Sequence, residues 1–322
     1  MAAAVGLLVV AGCSAGGGET VGAAPRAGPS DLPPQVTAGE ARVLWDAEQL
    51  LVRDCMARRG FRYWVVPRDS IPENRDFPYV VDDLGWARRH GYGGDILERI
   101  DRLRDRNPNR RYLEGLPAQR RRAAFAALYG EGPQSWAATP RPDQLEARLP
   151  TGGVVRRNAA SCTSEAPGLL YGDLATWFRA TRVVQNLADL RRARVVRDPR
   201  FAAAVGAWSR CMRGRGHPYA HPRLTRAEAV ADGSAGPAAR KAREKQIATA
   251  VAEAICAGES GLSAVARELD EKYARELVAR HRPDVIAERR MRRDALPMAL
   301  RITAAGGGHA PSSTPGVVRA TP

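Results

Sequence analysis

The stretch TAGEARVLWDAEQLLVRDCMARRGFRY, residues 37–63, decides the fold. Thr37 and Glu40 stand at the spacing of a capping box, in which the hydroxyl accepts from the backbone three residues on and the carboxylate reaches back. Val43, Leu44, Ala47, Leu50, Leu51 and Cys55 follow at intervals that bring them to one face of a helix. Gly60 is a natural left-handed stop. Phe61 to Val66 is aromatic and β-branched, and reads as a short extended piece or turn.

The end of this helix occurs twice. Cys55-Met56-Ala57-Arg58-Arg59-Gly60-Phe61-Arg62-Tyr63 matches Cys211-Met212-Arg213-Gly214-Arg215-Gly216-His217-Pro218-Tyr219, with Cys, Met, Arg, Gly and Tyr at identical spacing. Cys162 and Cys256 carry Glu165 and Glu259 three residues on, and each leads into an amphipathic stretch. The unit is therefore a helix ending in Cys-Met-x-x-x-Gly, an aromatic turn, an insert, and a second helix opening near Cys-x-x-Glu. Four cysteines allow three connectivities. Duplication predicts the equivalent pairs Cys55–Cys162 and Cys211–Cys256, and closing loops of these lengths is worth at most about 5 and about 4 kcal/mol in the chain-entropy account. Four cysteines on one metal would need a Cys-x-x-Cys spacing that the chain lacks, so no metal or other cofactor is expected. Glu165 and Glu259 read as helix-dipole partners bonded to Arg59 and Arg215. Paired carboxylates working on a glycan are the alternative.

Helical spacing continues along the chain. Asp82 or Asp83 can cap a short helix through His90, broken at Gly91 to Gly94. Ile96, Ile100 and Leu103 mark another, and Pro117 suits a first helical position. Gly130 to Gly153 reads as a Gly/Pro-rich linker. A helix is expected from about Ser164 to Leu190. Asp198-Pro199 caps one with Phe201, Val205, Trp208 and Cys211 on one face, and Thr225 and Glu228 form a further capping box. A continuous helix is expected from about Pro237 to His281, and Pro283 starts a last one that Pro297 weakens. Strand patterns are nearly absent. The class is all-α, a duplicated helical-hairpin core with long C-terminal helices. The boundaries are a signal peptide at 1–12, a flexible tether at 13–36, a first repeat at 37–190 with its insert at about 67–150, a second repeat at 191–304, and a disordered tail at 305–322.

Residues Ala2 to Gly12 are uncharged and mostly Ala, Val and Leu, leading into Val10-Ala11-Gly12-Cys13-Ser14. This resembles the lipobox of bacterial lipoproteins, apolar then small residues before an obligatory cysteine. It departs from the full pattern in carrying no Lys or Arg before Cys13. The resemblance implies a diacylglyceryl group on Cys13, cleavage before it, and a membrane anchor at the extracytoplasmic face. Five cysteines less Cys13 leave four, an even number suited to disulfides in an oxidising compartment. No other segment is long and apolar enough to span a membrane.

The net charge is +15, and only Lys241, Lys245 and Lys272 of the 50 basic residues are lysines. Such an excess of Arg with Ala is what a high-GC genome encodes. The charge also fits anionic lipid headgroups or acidic wall polymers. Nucleic acid is not expected as a partner, for there is no zinc-finger spacing and no aromatic RNA-binding signature.

Possible binding residues gather in the insert: Asp82, Asp83, Trp86, His90 and Tyr92. Carboxylates among aromatics suit sugar or cation recognition. A helix cap with Trp86 packed on the core explains the same residues without a ligand. His217 and His221 are four apart, but Pro218 and Pro222 work against the helix that would align them on a metal. No Gly-x-Ser-x-Gly and no Ser-x-x-Lys signature occurs, and the Gly-rich stretches lack the Lys-Ser/Thr of a phosphate loop.

The Cys-Met-x-x-x-Gly-x-x-Tyr unit, with a downstream Cys before a long helix and with Phe77-Pro78-Tyr79-Val80-Val81-Asp82-Asp83, resembles secreted or lipid-anchored proteins of actinobacteria. The resemblance implies export and disulfides and brings no chemistry with it. The sequence thus leads to an exported, lipid-anchored envelope protein, a binding or structural module without catalytic residues. Its partner would be an envelope protein or an anionic wall polymer. The alternative is a glycan- or peptidoglycan-acting enzyme using carboxylates.

Overall fold

The computed structural model describes residues 32–67, 71–131, 141–231 and 237–306, the side chains of 229–231 and 237–239 excepted. Cys13, the expected leader and most of both tails lie outside the described residues. The chain runs α1 (Ala38–Arg58), α2 (Leu84–His90), α3 (Gly94–Asp105), α4 (Pro108–Gly115), α5 (Ala118–Tyr129), β1 (Gln144–Arg148), β2 (Val154–Asn158), α6 (Cys162–Tyr171) and α7 (Leu174–Arg197). There follow α8 (Pro199–Gly214), α9 (Pro222–Ala231), α10 (Pro237–Glu259), α11 (Leu262–Arg280) and α12 (Arg282–Gly306). Helix dominates, and the class is all-α.

Local signals explain the well-defined ends. Thr37 Oγ1 accepts from the Glu40 N–H at 3.2 Å and Glu40 Oε2 accepts from the Thr37 N–H at 2.7 Å, closing the capping box. At the other end of α1 the Phe61 N–H reaches Met56 O and the Gly60 N–H reaches Ala57 O, both at 3.0 Å, with Gly60 at φ 78°. This double closure needs a left-handed residue, which glycine adopts without penalty. Helix α8 opens on Asp198, whose carboxylate accepts from the Arg200 N–H, and closes on Gly216 in the same way, with His217 N–H to Met212 O at 2.9 Å.

Several expected boundaries move. The helix foreseen from Ser164 to Leu190 is two, because Gly172 turns left-handed at φ 82° and Asp173 caps α7 by accepting from the Thr176 N–H. The helix foreseen from Pro237 to His281 breaks at Gly261, φ 74°, into α10 and α11. The stretch read as a linker, Gly130 to Gly153, carries the first strand and turn of an antiparallel hairpin that β2 completes just beyond it, Gln144 pairing with Asn158 and Arg148 with Val154 across a Thr151-Gly152-Gly153 turn. Helix α9 begins at Pro222, so Thr225 lies inside it and not at a cap. Pro297 is accommodated within α12, which runs on through Ala305 and Gly306. Near the other terminus, the Pro33 carbonyl accepts from Arg289 and Val36 packs on the core, so the expected tether is already docked there.

Helix α1 lies against α6 and α12; α12 lies against α7, and α7 against α11. Helices α10 and α11 pack on α8, and α2 covers α10. One cluster joins Leu44 and Ala47 of α1 to Leu170, Trp177, Ala295 and Ala299. Another surrounds Trp208, Phe201 and Met212 of α8 with Cys256, Leu262 and Leu269. A third places Phe77, Val81, Trp86 and Ile96 on Ala250 and Ala254 of α10. The insert of the first sequence unit therefore buries its apolar face on a helix of the second. Met56 and Met212, the residues after the repeated cysteines, are both buried, which is worth roughly 1.5–3 kcal/mol each.

Candidate functional site

The two cysteine units have the same geometry. Cys55–Cys162 and Cys211–Cys256 are disulfides with Cα atoms 5.5 and 5.6 Å apart. The carboxylate of Glu165 lies 3.2 Å from Cys55 Sγ, and that of Glu259 lies 3.3 Å from Cys211 Sγ. Both glutamates meet the expected arginines. Glu165 lies 3.7 Å from Arg59 and also pairs with Arg58; Glu259 pairs with Arg215 at 2.7 Å. Gly214 stands where the first unit has Arg58, so Glu259 has one arm fewer over it and its side chain is 55% exposed against 35% for Glu165. Both carboxylates are thus engaged by guanidinium groups beside a disulfide.

Cys211, Cys256 and Glu259 also form the one cluster of three potential metal donors among the described residues. The two sulfurs are bonded to each other, so no thiolate pair is available to an ion. His217 and His221 do not converge. His217 Nδ1 sits 3.2 Å from Thr249 Oγ1, while His221 Nδ1 accepts from the Arg223 N–H at 3.1 Å.

The five insert residues go to five different tasks. Asp83 caps α2, accepting from the Trp86 N–H at 2.8 Å and pairing with Arg75; that backbone bond, with the guanidinium, holds its carboxyl below the usual range. Trp86 is core. It packs on Phe77 with centroids 4.8 Å apart and donates its indole N–H to Glu73 O at 2.7 Å. His90 Nδ1 lies 2.8 Å from Asp95. Tyr92 turns inward to Glu253. Asp82 lines an open groove, a hollow of about 290 Å³ between residues 75–82 and α11 that also touches Tyr79, Arg267 and Asp270. This falls at the small end of ligand pockets. The structure therefore does not gather the five into one cleft.

Glu253 is the residue that sequence reading passed over. It is fully buried. The Val81 N–H donates to Oε1 at 2.8 Å, and the Tyr92 hydroxyl and Thr225 Oγ1 reach Oε2 at 2.7 and 2.6 Å. Burial raises its pKa, opposed by the bonds from Thr225, Tyr92 and Val81 and by Arg226. Burial also pushes the Tyr92 phenol up, as does the Glu253 carboxyl. Thr225 Oγ1 lies 2.6 Å from Pro222 O as well. A hydroxyl has one proton, and here it has two close oxygen neighbours, one of which is a carbonyl that can only accept. A protonated Glu253 balances the count by donating to Thr225 while Thr225 donates to the carbonyl. Glu253 thus ties residue 81, α2's exit at Tyr92 and α9 to α10 inside the protein. Its signal in the sequence was a lone charge between Gln246 and Glu259 in an otherwise apolar, Ala-rich run.

No known protein family, curated protein or solved structure matches the chain. Among the described residues no helix is long and apolar enough to cross a membrane. The fold and its bridges define a disulfide-braced helical protein.

Proposed function

We propose that this chain is an exported, lipid-anchored protein of the cell envelope, built on a duplicated cysteine unit and acting as a binding or structural module. The observation that carries the reading is that four of five cysteines are used in two bridges, which leaves Cys13 the odd one, inside a lipobox-like sequence. The matching Cys–Glu–Arg geometry of the two units supports duplication as their origin. The non-catalytic half of the reading rests on how the acids are spent. Glu165 and Glu259 are ion-paired beside sulfur, Asp83 is a cap, and Glu253 is an interior tie.

Mass spectrometry of the unreduced mature protein, taken from fractionated cells, tests this directly. A diacylated Cys13 at the new N-terminus, in the membrane fraction, is expected. Recovery in the soluble cytoplasm with an unmodified Cys13 would end the anchor reading. Loss of a wall-degrading activity in Glu165→Gln or Glu259→Gln would end the non-catalytic one.

A further inference from the structure

Residues 106–129 hold six arginines and one acid, Glu114. Helix α7 carries as many arginines, but four of its six pair with acids of other elements: Arg179 with Asp284, Arg191 with Asp270, Arg192 with Asp76 and Arg194 with Glu276. In residues 106–129 only Arg110 forms an ion pair among the described residues, with Asp105 and Glu114. Paired charges largely cancel at a distance, and unpaired ones build a field. Helix α4 buries none of its residues. On α5, Ala124, Ala127 and Leu128 face inward. Arg122, Phe125 and Tyr129 fall together on the outer face at helical spacing, with Phe125 45% and Tyr129 44% exposed and their rings stacked 6.1 Å apart.

We propose that the outer face of α4 and α5 docks on an anionic phospholipid bilayer. Its arginines meet lipid phosphates, and Phe125 and Tyr129 enter the headgroup layer. A polyanionic wall polymer would satisfy the arginines but offers no apolar layer to the rings, so the aromatic pair decides for lipid. The proposal rests on the reading that the chain works at a membrane, but not on the lipid at Cys13.

The test uses the full chain with Cys13→Ser, so that acylation is not measured. Co-sedimentation is followed with vesicles of phosphatidylcholine alone and with phosphatidylcholine containing phosphatidylglycerol. Binding to the anionic vesicles only, falling with added salt, is expected. The triple variant Arg106→Gln, Arg111→Gln, Arg122→Gln should lose about a hundredfold in partitioning, at roughly fivefold per arginine. Phe125→Ser should weaken vesicle binding while leaving binding to soluble polyphosphate unchanged. All these positions are exposed, and unchanged thermal melting shows that the variants fold. The proposal is overturned if anionic vesicles do not bind, if the triple variant binds like its parent, or if Phe125→Ser leaves vesicle binding unchanged. Binding to polyphosphate without binding to vesicles overturns it in favour of a wall polymer. An unacylated Cys13 in cells would remove the anchor and leave the vesicle result standing.

Discussion

Replacing Glu253 should show what joins the insert to the second half of the protein. In Glu253→Ala the Val81 N–H and the Tyr92 hydroxyl lose their acceptor inside the core, while Thr225 keeps the Pro222 carbonyl. Two stranded donors at about 1–3 kcal/mol each, with a small cavity added, give a loss of about 3–5 kcal/mol. Glu253→Gln should behave differently. Its amide nitrogen can donate to Thr225 as a protonated carboxyl does and its oxygen can accept from Val81, but the nitrogen cannot accept from the Tyr92 hydroxyl, so one stranded donor leaves a loss of about 1–3 kcal/mol, short of the alanine variant's. The assay is urea unfolding with both disulfides intact, comparing midpoints at unchanged slope. The pH dependence carries the sign. Burial raises the folded-state pKa above the ordinary value of 4.5, so between the two values the folded chain binds the extra proton. Stability from this group is therefore complete below 4.5 and is lost as pH rises through the folded pKa. The wild type should lose ground to Glu253→Gln as pH rises from 4.5 through the raised folded-state pKa. An alanine variant within about 1 kcal/mol of wild type would refute the tie. A glutamine variant as damaged as alanine, or a stability gap that does not move with pH, would refute the protonated carboxyl.

Other substitutions probe the remaining assignments. Gly130 has φ 87°, and a β-carbon there would lie 2.5 Å from the buried Asn158 Nδ2, so Gly130→Ala should cost more than about 2 kcal/mol in the same unfolding assay. Trp86→Ala should cost about 3–5 kcal/mol as a core deletion, whereas exposed Asp82→Ala should stay within about 0.5 kcal/mol, so that any lost binding in the latter reports on the groove itself. Peptide mapping without reductant should recover Cys55 linked to Cys162 and Cys211 linked to Cys256. Serine pairs at those positions should cost up to about 5 and about 4 kcal/mol respectively, following loop separations of 107 and 45 residues.

What could be read in advance was whatever a few neighbouring residues decide. Thr37 with Glu40, Gly60, and Asp198 with Pro199 each close a helix end through bonds to residues no more than five away. The breaks before α7 and α11 were hidden because apolar spacing runs on across them; the sign of the first was Asp173 following a glycine, a cap after a stop. The hairpin was hidden because β2, Val-Val-Arg-Arg-Asn, does not alternate and β1 is short and follows a Gly/Pro-rich stretch, while the register is set by partners six to fourteen residues apart. Among the candidate site residues, Asp83 was readable as a cap since its acceptor role is local. Tyr92 was readable only as an aromatic, because its partner Glu253 lies 161 residues further on.

That long-range bond bears on the proposed duplication. By sequence the insert belongs to the first cysteine unit, yet Phe77, Val81 and Trp86 pack on Ala250 and Ala254, and Glu253 accepts from both ends of the segment 81–92. The second unit has no such insert between Cys211 and Cys256 and leaves that face of α10 for the first to cover. If the units are two copies of one hairpin, the second alone would expose the apolar face of α10 on which the insert lies. The insert of the first unit closes that face. The same arrangement explains why aromatics and acids concentrate in the insert: they cap, pack and anchor a segment that must hold to a distant helix. Among the described residues, the groove beside Asp82 and the arginine face of α4 and α5 are parts of the insert that this task leaves exposed, which is why a partner should be sought there.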